Sequence, residues 1–196
     1  MKQNIETNKK FGVRQLTVVG MLSGISIMLG ITGWGYIKLP ILQATIMHVP
    51  VIIGAIIEGP MVGMCIGLIF GISSIVQNIM TPSLLSFALI NPLVSVLPRI
   101  LIALTSYYAY RFMVGNKTLK IGIGAAVGSI TNTAGVLGMI YLLYLKEYAM
   151  HMKISSAAAD KVIFGIAIAN GIPEMIAAIC ITVPIVLAVT RVRKNQ

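Results

Sequence analysis

Charge is absent from three long stretches of this 196-residue chain: 23 residues between Arg14 and Lys38, 40 between Glu58 and Arg99, and 25 between Lys120 and Lys146. A helix crossing the hydrocarbon core of a bilayer needs about 20 consecutive, mainly apolar residues. Apolar residues make up 57% of the chain and charged ones only 10%, against the roughly 25% charged that is usual in soluble domains. Lipid is therefore the expected solvent for most of the sequence. The 40-residue stretch has room for two passes, and Thr81-Pro82-Ser83 supplies turn chemistry near its middle.

These boundaries predict an all-α integral membrane protein, a six-transmembrane-helix bundle with spans at about 16–33, 41–57, 61–80, 87–110, 121–145 and 162–189. Six passes put both termini on one side. The second span is the shortest and carries His48 and Pro50; a spanning helix tolerates proline when its neighbours satisfy the freed carbonyl. The alternative for 41–57 is a re-entrant segment, which would leave five passes and opposed basic ends. Inter-span segments are short, so a single membrane domain over 1–196 is expected, with basic cytoplasmic segments at 1–14 and 190–196.

The formal net charge of +10 would suggest a nucleic-acid partner in a soluble protein. Its distribution argues for topology instead. With the amino terminus inside, Lys2, Lys9, Lys10, Arg14, Arg111, Lys117, Lys120, Arg191, Arg193 and Lys194 all fall on the cytoplasmic side. Lys38, Lys146, Lys153 and Lys161 fall outside, partly offset by Glu147 and Asp160, which is the positive-inside pattern. The first apolar segment is too long for a cleavable signal and has no polar mature domain after it, so it is expected to stay in the membrane, and the chain is expected in a bacterial plasma membrane. Cys65 and Cys180 lie in apolar spans as small hydrophobes and suggest neither a disulfide nor a metal site.

Several chemistries are disfavoured by what the chain lacks. It has no Gly-Lys dipeptide, so it cannot carry a phosphate-cradling P-loop. His48 and His151 are far apart and form no His-Glu-x-x-His pair. There is no Gly-x-Ser-x-Gly elbow with a partner base. No metal, cofactor or catalytic group is expected.

The informative residues are the polar ones inside the spans: Arg99, Asn132, Asn170 and Glu174. Ionisable groups there are costly and are paired or functional. Arg99 and Glu174 each fall about 12 residues, or roughly 18 Å, from the outer ends of their predicted helices. Asn170 and Glu174 are spaced i,i+4 and share a helix face. Two readings are open. Arg99 and Glu174 form a buried ion pair with the asparagines as interhelical glue, or Arg99 and the asparagines receive a polar ligand, a guanidinium fork being suited to a carboxylate.

Trp34, Tyr36 and Gln43 near the first outer loop, and Gln77 and Asn78 at the end of the third span, are candidates to complete such a site. Tryptophan and tyrosine at this depth also serve as interface anchors. His48, among apolar neighbours, reads as a hydrogen-bonded helix residue rather than a proton relay. Gly20 and Gly24 in the first span, and Gly63, Gly67 and Gly71 in the third, repeat every four residues and put small residues on one face. The third-span set reads as packing. For Gly20 and Gly24, packing and docking of another membrane subunit stand side by side.

Longer runs carry a family resemblance. The segment 44–55, Ala-Thr-Ile-Met-His-Val-Pro-Val-Ile-Ile-Gly-Ala, followed by Glu58-Gly59-Pro60, resembles the second helix and turn of the substrate-binding S components of energy-coupling factor (ECF) transporters. Phe70-Gly71, Pro98-Arg99-Ile100-Leu101, Asn132-Thr133 and Asn170-Gly171-Ile172-Pro173-Glu174 are similar to the same family in the same order. The resemblance implies a six-helix subunit that captures a B-vitamin at the outer face. It implies delivery inward with a transmembrane coupling subunit and two ATPase subunits, which would supply the missing P-loop. In that family an Ala-x-x-x-Ala-like surface on the first helix contacts the coupling subunit, and Gly20 and Gly24 stand at the matching positions. The Thr-Ile-Met-His run is most similar to the pantothenate-type branch, whose ligand offers a carboxylate and hydroxyls. A solitary proton-coupled transporter using Glu174, and an intramembrane lipid-modifying enzyme, are the competing functions.

Overall fold

A computed structural model describes residues 12–38, 43–82, 85–152 and 155–194. Lys2, Lys9, Lys10, Ser83 and Lys153 lie outside the described residues. The first helix, α1 (Val13–Thr32), ends where Gly33 adopts a left-handed φ of 73° and its N–H reaches Gly30 O at 3.4 Å. A left-handed residue that stops a helix is best supplied by glycine. The chain then turns into a two-stranded antiparallel hairpin, β1 (Tyr36–Lys38) and β2 (Gln43–Thr45), with Tyr36 opposite Thr45 and Lys38 opposite Gln43.

The second helix differs from expectation. α2 covers only Val49–Glu58, ten residues, or about 15 Å at 1.5 Å per residue, too short to cross a bilayer by itself. Pro50 explains where it starts, because it sits in the first turn, where its missing N–H breaks no helical hydrogen bond. Residues 43–45 pair with β1 instead of extending the helix. Every residue from Val49 to Ile56 is buried, as expected of a helix that is apolar on all sides. With Met47, Ile66, Phe70 and Ile102, this helix forms the centre of the main core.

Gly59, at φ 103°, is the single-residue joint to α3 (Pro60–Met80). The expected fourth span is broken at its outer end into two short turns, α4 (Ser86–Leu89) and α5 (Pro92–Ser95), before α6 (Leu97–Phe112). Pro92 and Pro98 each open a new helical turn, and the Asn91 side chain caps α5 by accepting from the Leu93 N–H at 2.9 Å. α7 (Lys117–Met152) is kinked at Tyr144, and α8 (Ser156–Lys194) contains Pro173 and Pro184. Among the described residues, five segments are long and apolar enough to cross a membrane, in α1, α3, α5–α6, α7 and α8.

The packing reading of the third-span glycines holds. A Cβ on Gly67 would lie 2.3 Å from Arg99 O, and one on Gly63 would lie 2.6 Å from Ala55 Cβ. Without side chains there, α3 lies directly against the start of α6 and against α2. At the other end of α2, Glu58 accepts from Arg14 at 3.0 Å and from Arg193, while Arg193 also donates to Ile57 O at 3.2 Å. The start of α1 and the end of α8 therefore meet at one end of the helix assembly.

Candidate ligand site

Arg99 lies in the first turn of α6, buried, because the chain is broken by Pro92 and Pro98 just ahead of it. A cation at a helix amino terminus opposes the helix dipole, so other groups must hold it. Its Nη1 donates to Val94 O at 2.9 Å, and its guanidinium carbon lies 5.6 Å from the centre of the Phe70 ring, within cation–π range. Its Nε–H has no partner among the described residues.

Glu174, buried in α8, makes a different set of bonds from those expected. One carboxylate oxygen accepts the Thr45 backbone N–H at 2.8 Å, and the other accepts the Thr133 hydroxyl at 2.7 Å. The acid thus joins β2, α7 and α8. It forms no ion pair with Arg99; among the described residues the ion pairs are those of Arg14 and Arg193 with Glu58. The Arg99 charge nevertheless acts on Tyr36, His48 and Glu174. Burial raises the Tyr36 phenol above its usual pKa, and the Arg99 charge opposes that rise.

Close approaches put the remaining groups at the same level. A Cβ on Gly135 would lie 2.8 Å from Pro98, and one on Gly171 would lie 3.7 Å from Thr133. α7 at residues 132–135 therefore contacts α6 beside Arg99 and α8 beside Asn170. Asn132 Oδ1 and Asn170 Oδ1 are buried and have no hydrogen-bond partner among the described residues, and the same holds for both ring nitrogens of His48. His48 caps the start of α2 without any side-chain hydrogen bond, which corrects the expectation of a hydrogen-bonded histidine. Buried polar groups are almost always satisfied. Two asparagine acceptors, a guanidinium N–H and an imidazole left open on these neighbouring elements are groups of the kind that a small polar molecule with hydroxyls and a carboxylate can match.

The other candidates are placed elsewhere or are already engaged. Gln77 donates to Gly30 O; Asn78 donates to Ser74 O at 2.8 Å and accepts from the Ser86 hydroxyl at 2.8 Å. Trp34 is 81% exposed beyond the end of α1. Gln43 belongs to β2 by its backbone, and its side chain lies outside the described residues. Gly20 and Gly24 are exposed, and a Cβ on either would meet no described residue within 4 Å. A separate cavity of about 360 Å³ lies between α1 and α3, with Phe70 and Gln77 in its wall and without Arg99, Asn132, Asn170 or Glu174. Thr45 and Thr133 are the partners that the sequence reading missed. Thr45 acts through its backbone N–H, which leaves no mark on residue type. Thr133 carried a usable signal, a hydroxyl beside Asn132 in an apolar span.

Residues 14–186 match the family described as ECF transporter, substrate-specific component. The chain is also 30% identical over 168 residues to the pantothenic acid transporter PanT of Lactococcus lactis subsp. cremoris (strain MG1363), an alignment covering 79% of this chain and 81% of that relative. The family match extends over the helices that carry Arg99, Asn132, Asn170 and Glu174. The chain belongs to the substrate-specific components of ECF transporters, and it is a transport protein rather than an enzyme.

Proposed function

We propose that this chain captures pantothenate at the outer face of a bacterial plasma membrane and delivers it inward with a transmembrane coupling subunit and two ATPase subunits. The observation that carries this reading is that the buried Arg99 Nε–H and the buried Oδ1 atoms of Asn132 and Asn170 have no hydrogen-bond partner among the described residues. In this reading Arg99 takes the carboxylate and the asparagines take hydroxyls, while Glu174 stays bonded to Thr45 and Thr133 and holds the hairpin over the site. Tyr36, on β1, lies within reach of the Arg99 charge and closes the same side. The relative named for pantothenic acid supports the choice of ligand.

The same reading takes 1–196 as one membrane domain with six passes and both termini cytoplasmic. Support for the second pass comes from α1 as a ruler. Met47 O accepts from Ser26 in the outer half of α1, and Glu58 bonds Arg14 at its start. The hairpin and α2 together therefore return along the full height of α1. Arg14, Arg191 and Arg193 gather at that end, as the positive-inside pattern requires. The exposed α1 face around Gly20 and Gly24 is assigned to the coupling subunit, because no described residue comes within 4 Å of a Cβ at those positions.

Calorimetric titration of the purified, detergent-solubilised chain with a panel of B-vitamins tests the proposal. Pantothenate should bind without ATP and without partner subunits. No heat with pantothenate, under conditions in which a related pantothenate transporter binds it, refutes the reading.

A further inference from the structure

The cavity between α1 and α3 is built unlike the Arg99 cluster. Four of its lining residues carry polar side chains, and each is already bonded inside the protein. Ser26 donates to Met47 O at 3.2 Å, Ser73 to Phe70 O at 2.8 Å, Thr81 to Gln77 O at 2.8 Å, and Gln77 to Gly30 O. The rest of the wall is hydrocarbon, thioether or backbone. Its rim includes Ile31, Val76 and Met80, which are exposed on the outer surfaces of two helices long enough to cross a membrane. Its inner wall includes Met47 and Phe70, each only 6% exposed.

We propose that this cavity is a binding site for a hydrocarbon tail of a membrane phospholipid, entering sideways between α1 and α3. The wall chemistry selects the occupant. A polar solute would surrender its hydration to a surface whose hydroxyl and amide donors are already engaged, a cost that unmatched polar groups do not recover. Ordered water needs two to four polar partners, and a wall that is mainly hydrocarbon, with its hydroxyl hydrogens already donated, offers few of them. A flexible alkyl chain meets both conditions, and lipid surrounds the rim.

The test reconstitutes the full chain in phosphatidylcholine vesicles containing a small fraction of phosphatidylcholine with a diazirine at the acyl terminus. Irradiation is followed by mapping of the adducts by peptide mass spectrometry. Adducts are expected on Met47 or Phe70, which bulk lipid does not reach, as well as on openly exposed positions such as Leu142, 75% exposed on α7. Ser73→Phe from the α3 side, and independently Ile27→Phe from the α1 side, should fill the cavity and remove the inner adducts while leaving those at Leu142. Adducts confined to exposed positions in the unmodified protein overturn the proposal whether or not either variant folds. So do inner adducts that survive both fillings. Inner adducts displaced by saturating pantothenate also overturn it, because the cavity would then belong to the vitamin's path. Failure of pantothenate to bind leaves the adduct pattern free to decide this question separately.

Discussion

Replacing Arg99 with methionine separates a ligand-binding cation from a structural one. The substitution keeps the apolar stem and removes the guanidinium. In the apo protein it removes one charge-assisted hydrogen bond to Val94 O and the contact with Phe70, about 1.5–3 and 0.5–2 kcal/mol respectively. Against that, the folded protein no longer desolvates a buried cation, which recovers an amount of similar size. Glu174 keeps both of its hydrogen bonds, to Thr45 and Thr133. The net change should stay within about 2 kcal/mol, or a Tm shift of no more than about 8 °C for a chain of this length. Binding should suffer more. A bound carboxylate deprived of its buried, hydrogen-bonded cation loses about 2–5 kcal/mol, at least about 30-fold in Kd. The assays are thermal unfolding of the apo protein in detergent and calorimetric titration with pantothenate. Had Arg99 and Glu174 been a buried ion pair, removing one partner would cost about 3–5 kcal/mol of stability. A large fall in apo Tm with an unchanged Kd for pantothenate refutes the ligand-binding role.

Gly67→Ala should destabilise the protein by about 1–3 kcal/mol, because its Cβ would lie 2.3 Å from the Arg99 carbonyl and force α3 from α6; thermal unfolding reads the loss, and pantothenate titration should show weakened binding. Gly20→Leu and Gly24→Leu enter open space, so stability and pantothenate affinity should hold while co-purification with the coupling subunit and ATPases is lost; intact co-purification removes the docking role from this face. Tyr36 gives a pH dependence. Its phenol holds the proton more tightly in the folded state than the ordinary value of 10.0, so the unfolded chain loses protons first and stability falls as pH rises through that region. A series of unfolding curves should show an alkaline decline that Tyr36→Phe flattens.

The residues that reached the site reading from sequence were those whose type is costly in lipid. Arg99 and Glu174 stand out in any apolar span, and the structure buries both. Their bonding was not legible, because an ion pair depends on separations of a few ångströms between side chains on different helices. Gln77 and Asn78 have the same polar character, but they lie near carbonyls and hydroxyls of neighbouring turns and bond to those. Thr45 holds Glu174 with a group that every non-proline residue possesses.

Composition and the spacing of charges were sufficient to choose the solvent. Uncharged stretches of this length fit lipid rather than water. Other features required the assembled fold. The stretch 41–57 is as apolar as a spanning helix, yet Pro50 and the pairing of β2 with β1 shorten it into a ten-residue helix buried at the centre. Whether an apolar helix faces lipid or protein depends on what packs around it, and the residue types in it are the same in either case. For the same reason the exposed glycines of α1 and the buried glycines of α3, alike in spacing, have opposite surroundings.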